Sequence, residues 1–349
     1  MQQDHAKDLK SESTVHQKNF KRMQCYQLLG QVHHETQLSE GGEADLHKYF
    51  AVCAKNPGHV GFIPAKELKM QHLPEQHQDP DLYELIRAVA DLTVRVDVQM
   101  VSPHRPEFWP NTQSSYPFYN LKEKRKFRTG SGMVKKVYQY TSGYRDSFGD
   151  HHGQYTTCWC AQCQHSESPS NVWWEFNVDT ATHVVFDDIE AQNTSLKLFY
   201  DGRDSPQVSL EKVCVKCVNV ERDLCVLKCV TCDETLGKTL KSVWRHFNKV
   251  WSIVNDKYKK SRDSDKLTFM VSHPHGCFKQ VSIGQWKDKY ALGGTLFDLY
   301  MFTYSTCTCP GSSGASVHCV GYSWWGYDQH VHTGTLKSGL NYSCAGEIL

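Results

Sequence analysis

Pro310-Gly311-Ser312-Ser313-Gly314-Ala315 sets a serine two residues after one glycine and directly before another. A nucleophilic serine needs that setting, because its backbone must turn tightly while bare N–H groups converge on a developing oxyanion. Two stretches upstream supply the groups such a serine would use. In Asp179-Thr180-Ala181-Thr182-His183-Val184-Val185, a histidine follows an apolar run and a turn of small residues, where it can project into a cleft as a general base. In Arg222-Asp223-Leu224-Cys225-Val226-Leu227, an aspartate opens an apolar run, where it can hold one imidazole nitrogen and fix the tautomer. Each also has a plain structural reading: a Gly-Ser turn, one of 19 histidines, and a strand-edge cap.

Around these stretches, the chain after Gly130 reads as short apolar runs between turn residues. They are 133–140, 172–178, 196–200, 208–215, 224–230, 268–272, 281–286, 300–306, 317–322 and 328–332. Such spacing predicts a mainly β, antiparallel architecture, either barrel or sandwich. One segment breaks the pattern. From Leu236 to Tyr258, Leu240, Val243, Trp244, Phe247, Val250, Trp251 and Val254 keep helical spacing, which predicts a helix bridging two β units. Before Gly130, short helices are expected over 19–29 and over 80–92, after a polar stretch of about 20 residues. Four prolines and five aromatics between Ser102 and Tyr119 predict an irregular connector that packs its rings on a neighbour.

The order His183, Asp223, Ser313, with gaps of 40 and 90 residues, resembles the trypsin-like serine peptidase family. The segments around the three residues are similar to that family's T-A-x-H-V, D-[IL]-[AC]-[VL]-L and G-[DNS]-S-G motifs. Thr129-Gly130-Ser131-Gly132-Met133-Val134 resembles the opening of its first barrel. Val271-Ser272-His273-Pro274-His275-Gly276, with Lys279 to Gly284, resembles a second-barrel stretch of its divergent members. The resemblance implies a chymotrypsin-type fold of two antiparallel β-barrels, a divergent and non-secreted member, with residues 121–346 as the peptidase domain. Its parts would be a first barrel over about 124–235, the bridging helix over about 236–260 and a second barrel over about 265–346. Residues 1–120 would be a partly helical N-terminal extension that binds a protein partner or covers the cleft.

By the same resemblance, His183, Asp223 and Ser313 form a triad hydrolysing peptide bonds through an acyl-enzyme, and the N–H groups of Gly311 and Ser313 bind the oxyanion. Cys307, His332 and Gly334 would bind the substrate. Ser312 stands where secreted digestive members have an acidic residue used in zymogen activation, so no such step is expected. No acidic residue occurs between Tyr304 and Gly311, so no strong preference for Lys or Arg is expected.

The 39 basic and 38 acidic residues leave a net charge of +1, which gives no electrostatic reason to expect nucleic acid or an anionic membrane as partner. The basic runs 122–128 and 257–262 read as solvated loops. No run approaches the roughly 20 apolar residues of a membrane helix. The polar start, MQQDHAKDLKSEST, is no secretory signal, so a cytoplasmic protein is expected.

Fifteen cysteines are then expected to be thiols or metal ligands. Cys158, Cys160 and Cys163 form a dense C-x-C-x-x-C run. Cys214/Cys217 and Cys229/Cys232 are C-x-x-C pairs suited to a metal knuckle. A structural zinc on Cys158, Cys160, Cys163 and one later pair, Cys229 and Cys232, is one reading; buried thiols on strands are the other. Catalysis by the proposed triad requires no cofactor. His273 and His275 are taken as part of a strand. Two other functions remain open on sequence: an inactive peptidase fold used as a binding module, and a zinc-stabilised interaction protein.

Overall fold

The protein is described here by a computed structural model covering residues 32–146, 154–292, 299–323 and 330–347. The helix expected over 19–29 lies outside these residues. The early strands are β1 (Val32–His34), β2 (Gln37–Ser39), β3 (Ile63–Pro64), β4 (Thr93–Met100), β5 (Arg125–Thr141) and β6 (Tyr144–Arg145). Next come β7 (Val172–Thr180), β8 (Thr194–Leu198), β9 (Val208–Leu210), β10 (Val213–Asn219), β11 (Leu224–Thr231) and β12 (Leu267–Ser272). The last are β13 (Gln280–Ala291), β14 (Leu299–Tyr304), β15 (Val317–Cys319), β16 (His332–Leu336), β17 (Asn341–Ser343) and β18 (Gly346–Glu347). The helices are α1 (Glu43–Ala51), α2 (Pro80–Leu92), α3 (Ala161–Gln164), α4 (Asp188–Ala191), α5 (Glu234–Tyr258) and α6 (Arg262–Asp265).

The strands form two antiparallel sheets, so the fold is mainly β. One runs β10-β11-β7-β5-β4-β8-β9, with β2 and β6 on β5; the other runs β1-β16-β17-β14-β13-β12-β15, with β18 on β14 and β3 on β13. Among the described residues, neither strand path closes into the barrel expected from sequence. The second comes near it through an isolated bridge between Ser316 and Val331.

Both long helices are where the apolar spacing puts them. Asp233 caps α5, its side chain accepting from the Leu236 N–H, and the stripe Leu236, Leu240, Phe247, Val250, Val254 is buried. The other helix, α2, starts on Asp79 with Pro80 in its first turn and packs against α5, where Tyr258 donates to Asp79 at 3.0 Å. Among the described residues, no helix is long and apolar enough to cross a membrane.

The sheets draw strands from both sides of residue 121: β4 lies between β5 and β8 in the first sheet, and β1, β2 and β3 add to one or the other. The basic run 122–128 is not wholly the solvated loop expected from sequence. It enters β5, where Arg128 is fully buried against Glu190.

Candidate active site

His183 sits in the turn that follows β7, and Asp223 in the turn between β10 and β11. These strands are linked through β11, which pairs with both, so the two turns meet at one end of the first sheet. The His183 N–H donates to Asp223 Oδ1 at 3.1 Å, and the ring Nδ1 lies 2.8 Å from Oδ2. Its Nε2 lies 2.7 Å from Ser313 Oγ. A carboxylate only accepts, so Nδ1 carries the proton and Nε2 is left to accept from the serine. All three residues are buried.

Ser313 is held by both sheets. The Ser131 N–H on β5 donates to its carbonyl at 2.8 Å, and the Ser131 hydroxyl donates to the Gly311 carbonyl at 2.8 Å. On the other side, the Gly314 N–H donates to the His332 carbonyl at 2.8 Å. At Gly311 φ is +99°, and a side chain there would meet the His273 carbonyl oxygen at 2.3 Å, so the turn needs glycine. The Thr129 to Val134 stretch is therefore part of the seam that carries the serine.

The N–H groups of Gly311 and Ser313 converge on one acceptor, the carbonyl oxygen of Glu35, at 2.6 and 3.3 Å. The Glu35 N–H in turn donates to Ser313 Oγ at 3.0 Å. The Glu35 side chain enters the second sheet. Its carboxylate accepts from His332 Nε2 at 2.6 Å and from Thr335 Oγ1 at 3.1 Å, and forms an ion pair with Lys55. Burial alone would raise this carboxyl group. The hydrogen bond and charge of His332, with Lys55, outweigh it and bring the pKa down to about 2. Burial lowers His332, against the pull of Glu35, and its Nδ1 lies 2.7 Å from Tyr304 Oη. Of the other expected substrate-binding residues, Gly334 pairs with His34, and Cys307 lines the same cleft beside Lys55 and Thr308.

The Pro-rich connector behaves as expected from its aromatics. Trp109 meets the His183 ring edge-on at 6.1 Å. It also brings in Arg105, which sequence patterning did not single out. Arg105 grips Glu190 at 2.7 and 2.8 Å and donates to the His183 carbonyl at 3.0 Å, and Arg128 joins the same carboxylate. Burial pulls Arg128 down to about 10, although Glu190 opposes this. Glu35, Lys55, Tyr304, Arg105 and Glu190 were all missed, since none lies in a motif or keeps a spacing that links it to Ser313.

Among the described residues, six cysteines fall into two clusters. Cys158, Cys160, Cys163 and Cys232 bring their sulfurs within 4.8 Å of one another. Cys229 does not join them. On a strand, residues three apart face opposite sides, so Cys229 points into the main core while Cys232, just past the end of β11, reaches the knuckle. The pair Cys214/Cys217 lies on β10, with Cys217 exposed, and is outside both clusters. The second cluster, Cys53, His59, His275 and Cys309, corrects the reading of His275 as part of a strand. His273 to Gly276 form a tight turn after β12, with His275 at φ +53°.

With this geometry in hand, the chain can be set beside solved structures. It is similar to the HtrA-type protease AlgW with a tripeptide, at 13% identity and TM-score 0.35, over 74% of this chain and 58% of that one. The chain thus spans under two thirds of that protein's length. It is also similar to the Rv3671c protease from M. tuberculosis. The active form gives 11% identity and TM-score 0.35, over 76% of this chain and 82% of that one. The inactive form gives 10% and 0.34, over 76% and 90%. No family model and no curated protein matches the chain.

Proposed function

We propose that the chain is a serine endopeptidase that cleaves polypeptides with Ser313 as nucleophile, His183 as general base and then acid, and Asp223 as the group that orients the imidazole. The observation that carries this reading is the relay of 2.8 and 2.7 Å from Asp223 through His183 to Ser313 Oγ, beside two N–H groups aimed at one carbonyl oxygen. Ser313 Oγ attacks the scissile carbonyl carbon while His183 Nε2 takes the hydroxyl proton. The charge that forms on the carbonyl oxygen is met by the N–H groups of Gly311 and Ser313. His183 gives the proton to the leaving amine, and water then hydrolyses the acyl-enzyme by the same groups in reverse.

The first cysteine cluster fits a structural zinc held by Cys158, Cys160, Cys163 and Cys232, remote from the triad. Two Sγ–Sγ separations, 3.5 and 3.6 Å, match the edges of about 3.8 Å set by Zn–S bonds of about 2.3 Å. The ion would tie the loop after β6 to the end of β11.

Fluorophosphonate labelling tests the enzyme reading. Wild-type chain is expected to label at one serine and Ser313→Ala not at all, with both giving the same far-UV circular dichroism. A folded wild-type chain that neither labels nor hydrolyses any peptide would leave the inactive binding module in its place.

A further inference from the structure

We propose that the cleft selects glutamate on the acyl side of the scissile bond, and that its first substrate is this chain's own Glu35–Thr36 bond; this rests on the reading of Ser313 as the nucleophile. Residues 32–39 cross the seam as an extended peptide. On one side, β1 pairs antiparallel with β16, His33 opposite Thr335 and His34 opposite Gly334. Gly334 is open for this reason: a side chain there would strike the His33 carbonyl oxygen at 2.2 Å. On the other side, β2 pairs with β5 in the first sheet. Between the two strands, the Glu35 carbonyl oxygen rests on the two N–H groups beside Ser313.

The pocket around the Glu35 carboxylate is made for that group. One oxygen faces His332 Nε2, and the other meets Lys55 and Thr335. Lys55 is itself fixed by Thr308 Oγ1 at 2.8 Å, Thr335 Oγ1 at 2.7 Å and Asn341 Oδ1 at 3.0 Å. A lysine or arginine in this pocket would oppose Lys55. An apolar side chain would leave His332 Nε2 without its acceptor and Lys55 without its counter-charge, a loss such sites punish strongly.

In the reaction, Ser313 Oγ bonds to the Glu35 carbonyl carbon and the Glu35–Thr36 C–N bond breaks. The proton taken by His183 passes to the Thr36 nitrogen, and water then releases Glu35 as a carboxylic acid and restores Ser313.

The test uses full-length chains. Wild type is expected to yield a fragment that begins at Thr36, seen by intact mass and N-terminal sequencing, and Ser313→Ala is expected to remain whole. Glu35→Lys is expected to remain whole, and wild type already cut at this bond is expected to cleave a Val-His-His-Glu-Thr-Gln peptide in trans, about a hundredfold or more faster than its Gln or Lys counterparts at the Glu position. A wild-type chain that labels with fluorophosphonate but stays intact at residues 35–36 overturns this inference and leaves the peptidase reading standing. Equal rates on the three peptides also overturn it. Failure of both labelling and hydrolysis removes the underlying reading instead.

A second inference stands on a different observation. We infer that Cys53, His59, His275 and Cys309 bind a divalent metal of zinc type. Their donor atoms lie within 4.8 Å of one another, and all four residues are buried. Cys53 Sγ to Cys309 Sγ is 3.5 Å and Cys309 Sγ to His59 Nε2 is 3.6 Å, against tetrahedral edges of about 3.3 to 3.8 Å. His275 Nδ1 is 2.9 Å from Gln37 Oε1, which leaves Nε2 as a buried nitrogen with no hydrogen-bond partner, though the residue is only 4% exposed. The Asn56 N–H and side-chain amide donate to the two sulfurs, as they would to thiolates. A metal here would tie the segment that bears Lys55 to the turn that bears Ser313.

Elemental analysis of protein grown with zinc is expected to find two ions per wild-type chain, and one in both Cys53→Ser and Cys232→Ser. One ion in wild type, unchanged in Cys53→Ser and lost in Cys232→Ser, overturns the second site. A wild-type chain with no metal overturns both.

Discussion

At the scale of single residues, the proposed mechanism gives Asp223 the task of holding the imidazole. Its Oδ1 accepts from both the backbone N–H and Nδ1 of His183, so it sets the ring's position and its tautomer together. In Asp223→Asn the amide can donate toward Nδ1, which moves the ring proton to Nε2 and leaves Ser313 without an acceptor. We expect the fold to be kept and kcat for peptide cleavage to fall by about 10⁴, with KM little changed. Steady-state kinetics check this, and a loss confined to KM would contradict the orienting role. His183, Asp223 and Ser313 were legible because each sits in a local motif, and local motifs survive in one dimension. Glu35, Lys55 and His59 were not. Glu35 reaches Ser313 across 278 residues and Lys55 reaches Asn341 across 286, and no sequence pattern encodes such a meeting.

At the scale of elements, the period of side chains along a strand decided what could be read. The apolar runs marked β7, β8, β11, β12 and β14 to within two residues at each end but gave no sign of β1 to β4, β6, β17 or β18, and α2 and α5 followed from a 3.6-residue stripe. The same periodicity defeated the reading of Cys229/Cys232. C-x-x-C is a knuckle when a turn lies between its cysteines, but on β11 the pleat sends Cys225, Leu227 and Cys229 to the core and leaves Cys232 to face Cys160 and Cys163. The basic run at 122–128 failed for a related reason. A strand with both faces covered buries whatever it carries, and Arg128 is tolerated there because Glu190 meets it. Barrel closure was the other overreach. Alternation fixes which residues share a face, while closure depends on stagger between strands far apart in sequence.

For the whole molecule, the buried histidines tie stability to pH. His273, His318 and His332 are fully or nearly fully enclosed, and burial drives each below its ordinary range, His318 to about 3 with Lys135 adding to the effect. The unfolded chain takes up a proton on each of these rings as pH falls below about 6.5, while the folded chain resists. Proton binding therefore favours the unfolded state across that window. Stability is full above pH 6.5 and declines toward the folded-state value, by about 2 kcal/mol for His318 alone at pH 5. His318 stacks flat on Phe269 at 4.7 Å and is not one of the proposed catalytic groups, so its share can be isolated by substitution. Urea unfolding at pH 7 and pH 5 is expected to show a clear fall in midpoint for wild type. His318→Phe, which keeps an aromatic face against Phe269 and cannot protonate, is expected to show a smaller fall. Equal losses in the two proteins would mean that His318 is already protonated, or reachable by water, in the folded chain.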